Sequence, residues 1–204
     1  MEPASGGHHP MIRGERVWLR PSEPTDIDLF LGWLNDAETA AFLALRSPIG
    51  RAAEERWVER MLESHGKDTF HFVMCRLSDD RPIGSIALHE VDHVNGNAGV
   101  GVAIGEKPLW GKGYGTDAMN ALLDFAFGEL RLERVWLDVY AGNERGQRSY
   151  LKSGFTLEGT LRRAHFARGE YLDVHRMGIL RAEWLALPRP RSWELTARDL
   201  PRSD

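Results

Sequence analysis

The sequence predicts a mixed α/β domain, a mostly antiparallel central sheet with helices on both faces, in the order β-α-α-β-β-β-α-β-α-β-β. Three β-type runs over 70–77, 82–90 and 98–105 are separated by turn segments at 78–81 and 95–97, and connections that short pair strands antiparallel. A glycine-rich loop then leads into a strongly periodic helix over 114–128 and a strand over 134–140. Such a strand-helix-strand passage makes the flanking strands parallel neighbours. Two long β-type segments joined by a turn at 167–170 close the fold. This is not the alternating βα pattern of a doubly wound sheet.

Each element has a local cause. "RVWLRP" (16–21) is a short strand ended by proline, and Thr25 or Asp26 then caps a helix over 25–35 that carries Ile27, Phe30, Leu31 and Leu34 at helical spacing. A second helix over 51–64 has its apolar stripe in Trp57, Val58, Met61 and Leu62. The run "FHFVMCRL" holds the single cysteine, Cys75, which reads as a buried structural thiol. Met119, Leu122, Leu123, Ala126 and Phe127 line one side of the helix over 114–128. A short helix over 144–153 ends at Gly154, placed as a C′ glycine.

Composition narrows the function classes. At 204 residues the chain fits one domain, and its net charge of −4, with both signs scattered, provides neither a basic stripe for nucleic acid nor a cationic membrane face. One cysteine excludes an internal disulfide and any CxxC metal site. No apolar run reaches the roughly 18 residues of a membrane span, so a cytoplasmic address is expected. The division expected is a disordered leader over 1–10 that includes His8 and His9, a single folded domain over 11–186, and a Pro/Arg-rich tail over 187–204. The tail reads as extended, with Trp193 and Leu195 as its candidate anchors.

The most informative stretch is "PLWGKGYGTDAMNALLDFAF" (108–127), where alternating glycines run into a helix. Exposed amides at a helix start, reinforced by the helix dipole, favour an anion. A P-loop fits poorly, because five residues rather than four separate Gly105 from Gly111 and Gly113 stands where the Ser/Thr should be. Gly113 to Ala118 satisfies the dinucleotide pattern GxGxxA with Asp138 about 20 residues on, but that fingerprint should open alternating βα units. Glycines serving only a tight turn are the plain alternative.

The loop "LWGKGYGTDAM" resembles the pyrophosphate-binding loop of the GCN5-related N-acetyltransferases. "NERGQRSYLKSGF" resembles that family's second signature, an asparagine followed by a tyrosine and then Gly-Phe. "GTLRRAHFARGEYLDVHRMGIL" resembles the subgroup of ribosomal-protein N-terminal and spermidine acetyltransferases. The resemblance spans about residues 11–185. It implies acetyl-CoA as acyl donor, no metal, direct transfer to a primary amine, and a possible homodimer.

By the same resemblance, Gly111, Lys112, Gly113, Tyr114, Gly115 and Thr116 hold the pyrophosphate through their amides. Trp110 stands where the family more often has Gln or Arg. The pantetheine arm lies along Val102, Ala103 and Ile104, on a strand splayed from its parallel neighbour. The segment from Ile104 to Gly111 is one residue longer than usual, which can move that register by one. Asn143 bonds the cofactor and also reads as a helix N-cap. Tyr150 is the general acid for the departing thiolate; the alternative is a packed tyrosine with a wet hydroxyl. A strand amide near Ala103 meets the oxyanion. Many relatives carry a glutamate about where Gly99 falls, so Glu90 is the substitute base, with Asp92, His89, His93 or water as rivals.

The acceptor would lie between the segments near 30–50 and 162–173. Glu170 and Asp173 would attract a cationic amine, whereas Arg162, Arg163 and Arg168 suit a mixed or partly acidic molecule. A peptide N-terminus, a polyamine, an aminoglycoside and a small metabolite all fit, and the subgroup favours a peptide α-amine. A CoA-binding sensor without turnover is the second hypothesis, prompted by Gly99.

Overall fold

The computed structural model describes residues 10–199; the expected leader, apart from Pro10, and the last residues of the tail lie outside them. One sheet organises the chain, in the order β1 (Val17–Pro21), β2 (Phe70–Arg76), β3 (Pro82–Asp92), β4 (Asn97–Ile104), β5 (Arg134–Tyr140), β7 (Glu170–Leu180), β6 (Thr156–Ala167). Every neighbouring pair is antiparallel except β4 and β5. The helices are α1 (Ile27–Leu34), α2 (Arg51–Ser64), α3 (Tyr114–Asp124), α4 (Glu144–Lys152), α5 (Arg181–Ala186) and α6 (Ser192–Asp199). The mixed, mostly antiparallel class and the element order read from the sequence are both present, with α5 and α6 added.

Alternation along the strands sends side chains into two cores, one on each face. Met74, Leu88, Ala98 and Val100 meet Leu122 from α3 and Phe127 from the turn that continues it, while Val73 and Cys75 meet Phe30, Trp33, Val58 and Met61 from α1 and α2. Each large side chain buried this way contributes about 1.5–3 kcal/mol against exposure. Cys75 is buried, and burial raises its thiol pKa. Trp57 and Leu62, expected in the α2 stripe, are partly exposed at its rim, where the Trp57 ring lies 5.2 Å from His71.

The helix expected over 114–128 changes winding. It is α-helical to Asp124 and then takes a π turn over Phe125–Glu129, with Leu130 N bonded to Phe125 O at 3.1 Å. The wider turn lays Phe125 against Phe70 and Phe72 while Phe127 stays fully buried, a packing demand that a 3.6-residue periodicity does not register.

The tail is not extended where it is described. Ser192–Asp199 forms α6, and its approach is set by Asp124, a buried carboxylate that accepts from Trp184 Nε1, Arg189 Nη2 and Ser192 N, each at 2.8 Å. Ser192 Oγ in turn accepts Arg13 N at 2.8 Å. Leaving that carboxylate buried and unpaired would cost several kcal/mol, so the segment supplying its donors docks despite a Pro/Arg-rich composition.

The site is positioned by the β4–β5 pair. These strands share only Asn97↔Arg134, Ala98↔Val135 and Gly99↔Trp136. Beyond that, β4 stays zipped to β3 as far as Ile104↔Gly84, and β5 to β7 as far as Tyr140↔Val174. The two halves of the twisted sheet diverge, and a wedge opens at its centre.

Candidate active site

The mouth of the wedge faces the start of α3. Gly111 and Gly113 hold left-handed backbone, with φ of 73° and 87°, which fits glycine at both positions. Gly115 is ordinary helix, and a Cβ there would meet Ile104 and Ser149 only at 3.9 Å. Asp117 N makes the first intrahelical bond, to Gly113 O at 3.0 Å; the amides of Gly113, Tyr114, Gly115 and Thr116 bond no acceptor among the described residues. Four donors thus converge at the positive end of a helix dipole. Arg16 adds charge beside them, its Nη1 donating to Lys112 O at 2.6 Å and its guanidinium 5.8 Å from the Tyr114 ring.

The extra residue between Ile104 and Gly111 is absorbed by a 3₁₀ turn over Lys107–Leu109. Lys107 bonds Asp36 at 2.8 Å and pairs with Glu38 at 3.3 Å, tying this loop to the segment after α1. The hydrogen bond from Lys107 holds the Asp36 carboxyl down at about 2. Trp110 stacks under Arg145, 4.0 Å from its guanidinium, and donates Nε1 to Ile104 O at 2.8 Å.

Strand register decides which main-chain groups face the wedge. Gly105 N bonds Ile83 O at 2.9 Å, so by alternation Gly101 and Ala103 also turn their peptide groups toward β3, while Val102 and Ile104 turn theirs toward the gap. Ala103, near which the oxyanion amide was expected, therefore points away from the gap, and its neighbours Val102 and Ile104 point into it. Val102 and Ile104 remain, Ile104 with only its N–H because Trp110 occupies its carbonyl.

Asn143 caps α4, its Oδ1 accepting Gly146 N at 2.9 Å, and its Nδ2 has no partner among the described residues. Thr116 Oγ1 and Ser149 Oγ, 2.8 Å apart, bind α3 to α4 across the mouth. One residue on, Tyr150 is half-buried against the larger core with its ring 6.1 Å from Phe155, and its hydroxyl has no described partner. Burial pushes its phenol up to about 12, so it carries a proton at any physiological pH.

At the closed end of the wedge stands Gly99, paired across strands with His89. A Cβ at Gly99 would collide with the His89 imidazole, which meets the Trp136 ring edge-on at 5.5 Å. Glu90 has a positive φ of 51° in the irregular stretch of β3, and its exposed carboxylate lies 3.4 Å from His89 Nδ1. The two other candidates there hold turns: Asp92 accepts Val94 N and Asn95 N at 2.9 Å, and His93 bonds Lys67 O at 2.8 Å. Sequence reasoning ranked Glu90 first among these because it did not know what covers Gly99; the pairing register supplies that.

Around the hairpin several charged groups are held by partners. Arg176 is paired with Asp138 by two bonds, at 2.6 and 2.8 Å, and covers the Trp136 ring at 4.1 Å. Asp173 accepts Arg163 N at 2.7 Å. Arg46 donates to Phe166 O and lies beside His165, which is stacked on Tyr140 at 4.0 Å. Burial, and secondarily the Arg46 charge, lower the His165 pKa. Sequence reasoning named none of Arg46, His165, Tyr140 and Trp136 individually, although Arg46 and His165 fall in the acceptor segments it assigned; Tyr140 reaches His165 only through the pairing of β5, β7 and β6. Among the described residues no group of three or more His, Cys, Asp or Glu is arranged to hold a metal, and no helix is long and apolar enough to cross a membrane.

A parallel pair that opens onto a helix start is the arrangement that the sequence resemblance implies for an acyltransferase working on a coenzyme A thioester. Residues 16–156 match the family described as Acetyltransferase (GNAT) domain, and the chain belongs to the GCN5-related N-acetyltransferase family. It is 34% identical to the uncharacterised N-acetyltransferase YokL of Bacillus subtilis (strain 168), over 84% of this chain and 93% of that protein. It is 33% identical to the spermidine N(1)-acetyltransferase of Escherichia coli (strain K12), over 53% of this chain and 58% of that one. A crystal structure of spermidine N-acetyltransferase from Vibrio cholerae in complex with CoA and spermine superposes with a TM-score of 0.77 at 25% identity, covering 83% of this chain and 98% of that one. The protein is an N-acetyltransferase that draws its acetyl group from acetyl-CoA.

Proposed function

We propose that the wedge between β4 and β5 holds the pantetheine arm, that the amides of Gly111, Gly113, Tyr114, Gly115 and Thr116 hold the pyrophosphate while the Lys112 amide, expected among them, is turned to Leu109 O at 3.4 Å, and that Tyr150 protonates the departing thiolate. The single observation that carries this is the set of four unpartnered amides at the mouth of the wedge. Charge-assisted bonds from such donors contribute about 1.5–3 kcal/mol each. Val102 N–H and Ile104 N–H bond the amide-bearing arm, and Asn143 Nδ2 adds a donor beside it. The negative charge of the tetrahedral intermediate falls to an amide facing the gap, with Val102 taking the role expected near Ala103.

The acceptor is a primary amine reaching the wedge from the α1–α2 face. A polyamine such as the spermine held by the Vibrio cholerae relative is one candidate. Around this hairpin, however, Asp138 is committed to Arg176 and Asp173 to a main-chain amide, and Arg46 has no carboxylate partner among the described residues. That balance favours an amine on a molecule with few positive charges, a peptide α-amine before a polyamine. The setting is the cytoplasm, and a homodimer is the assembly the family resemblance allows. Thiol release from acetyl-CoA across a panel of free-N-terminus peptides, spermidine, an aminoglycoside and amino acids tests the assignment: faster turnover of a peptide supports it, and faster turnover of spermidine reverses the order.

A further inference from the structure

We propose that His89 is the general base of this acetyltransferase, standing in for a side chain that Gly99 cannot provide, and that Glu90 is the residue that positions it. The assignment deepens the acetyl-transfer reading and rests on it. His89 lies directly across from Gly99, and its ring fills the volume a side chain at 99 would use. Gly101, the next residue on the same face of β4, has nothing within 4 Å of where its Cβ would stand. The imidazole therefore borders open space at the level where β4 and β5 part. Trp136 holds the ring edge-on.

Glu90 supplies an independent sign. In regular strand its side chain would point to the face opposite His89, toward the core. A φ of 51° breaks that alternation and brings its carboxylate to 3.4 Å from His89 Nδ1. A non-glycine residue in the left-handed region costs about 1–2 kcal/mol, and strain of this kind clusters at working sites. Nδ1–H turned toward Glu90 leaves the Nε2 lone pair as acceptor, and Nε2 bonds no described residue. Imidazole is the side chain suited to accepting a proton near neutrality.

The chemistry balances. His89 Nε2 takes one proton from the ammonium, directly or through one water, and passes it to solvent. The freed nitrogen pair forms the N–C bond to the thioester carbon, and the C–S bond breaks as the tetrahedral intermediate collapses. Sulfur leaves with the electron pair and takes the Tyr150 phenolic proton, and the second proton shed by nitrogen restores the phenol. Ammonium and thioester give amide, thiol and one proton.

The test is kcat/KM against pH for the full chain, with acetyl-CoA and either a free-N-terminus pentapeptide or spermidine. His89→Gln should lower it by about 10²–10³-fold and change the shape of the acid side of the profile, which the ionisation of the amine then sets alone, with CoA affinity by calorimetry kept within about threefold. Glu90→Gln should lower kcat several-fold and leave KM for acetyl-CoA in place. A His89→Gln enzyme with the wild-type rate and profile overturns the assignment. If that variant also loses CoA, His89→Gly decides: turnover restored by added imidazole supports the base, and no restoration overturns it. A wild type inert toward both amines overturns the transfer reading itself and the base with it.

Discussion

The two ends of the wedge are built on opposite principles. The mouth is made of consecutive residues, Gly111 to Thr116, and what they offer is main chain. The closed end is made of residues from three strands, His89, Gly99 and Trp136, and it depends on one side chain filling the absence of another. The mouth can therefore absorb side-chain changes but not a change of backbone conformation. The closed end should tolerate no exchange of its imidazole.

The largest effect expected of that difference is at Gly113. Gly113→Val should weaken CoA binding on the order of a thousandfold by calorimetry, the loss of two or three amide bonds at about 1.5–3 kcal/mol each. A Cβ there would meet only Arg16 Nη1, at 3.7 Å, so crowding is slight and the damage comes from the φ of 87°, with a fall of a few degrees in Tm. Unchanged affinity would take the pyrophosphate out of this loop. Next in size, Tyr150→Phe should reduce kcat by about a hundredfold while CoA affinity stays put. Because burial lifts that phenol to about 12, its proton is retained as pH rises to 10, and the wild-type kcat should show no alkaline limb that the Phe variant lacks. Such a limb, or a kcat equal to wild type, would return Tyr150 to a packing role. The smallest change sharpens the contrast from the other side: Lys112 is exposed, with its amide bonded to Leu109 O and its carbonyl to Arg16, so Lys112→Ala should shift CoA affinity less than about threefold. A loss of tenfold or more would mean that a side-chain charge, rather than the amides, holds the anion.

Legibility followed the same divide. Helix α2 over Arg51–Ser64 and strand β5 over Arg134–Tyr140 run where periodicity and turn chemistry put them, because their causes lie within a few residues. The glycine turn ahead of α3 was readable for the same reason, though not which of its glycines take left-handed backbone. Ala103 was not: whether a strand residue faces its neighbour or the gap flips with each step along the chain, and only the Gly105–Ile83 bond settles the phase. The π turn at Phe125–Glu129 and the docking of α6 were hidden too, since both answer to partners far away in sequence, Phe70 and Phe72 in one case and the demands of Asp124 in the other.

The amino-acid sequence by itself determined the order of the elements and the glycine turn ahead of α3, because hydrophobic period, glycine freedom and helix polarity act between residues close along the chain, and its motifs carried the resemblance to the family. Tertiary structure alone decided which strand groups face the gap between β4 and β5 and which side chain occupies the space above Gly99. Those depend on strand register and on the divergence of a twisted sheet, and a displacement of one residue in pairing would exchange the faces while altering the local pattern hardly at all.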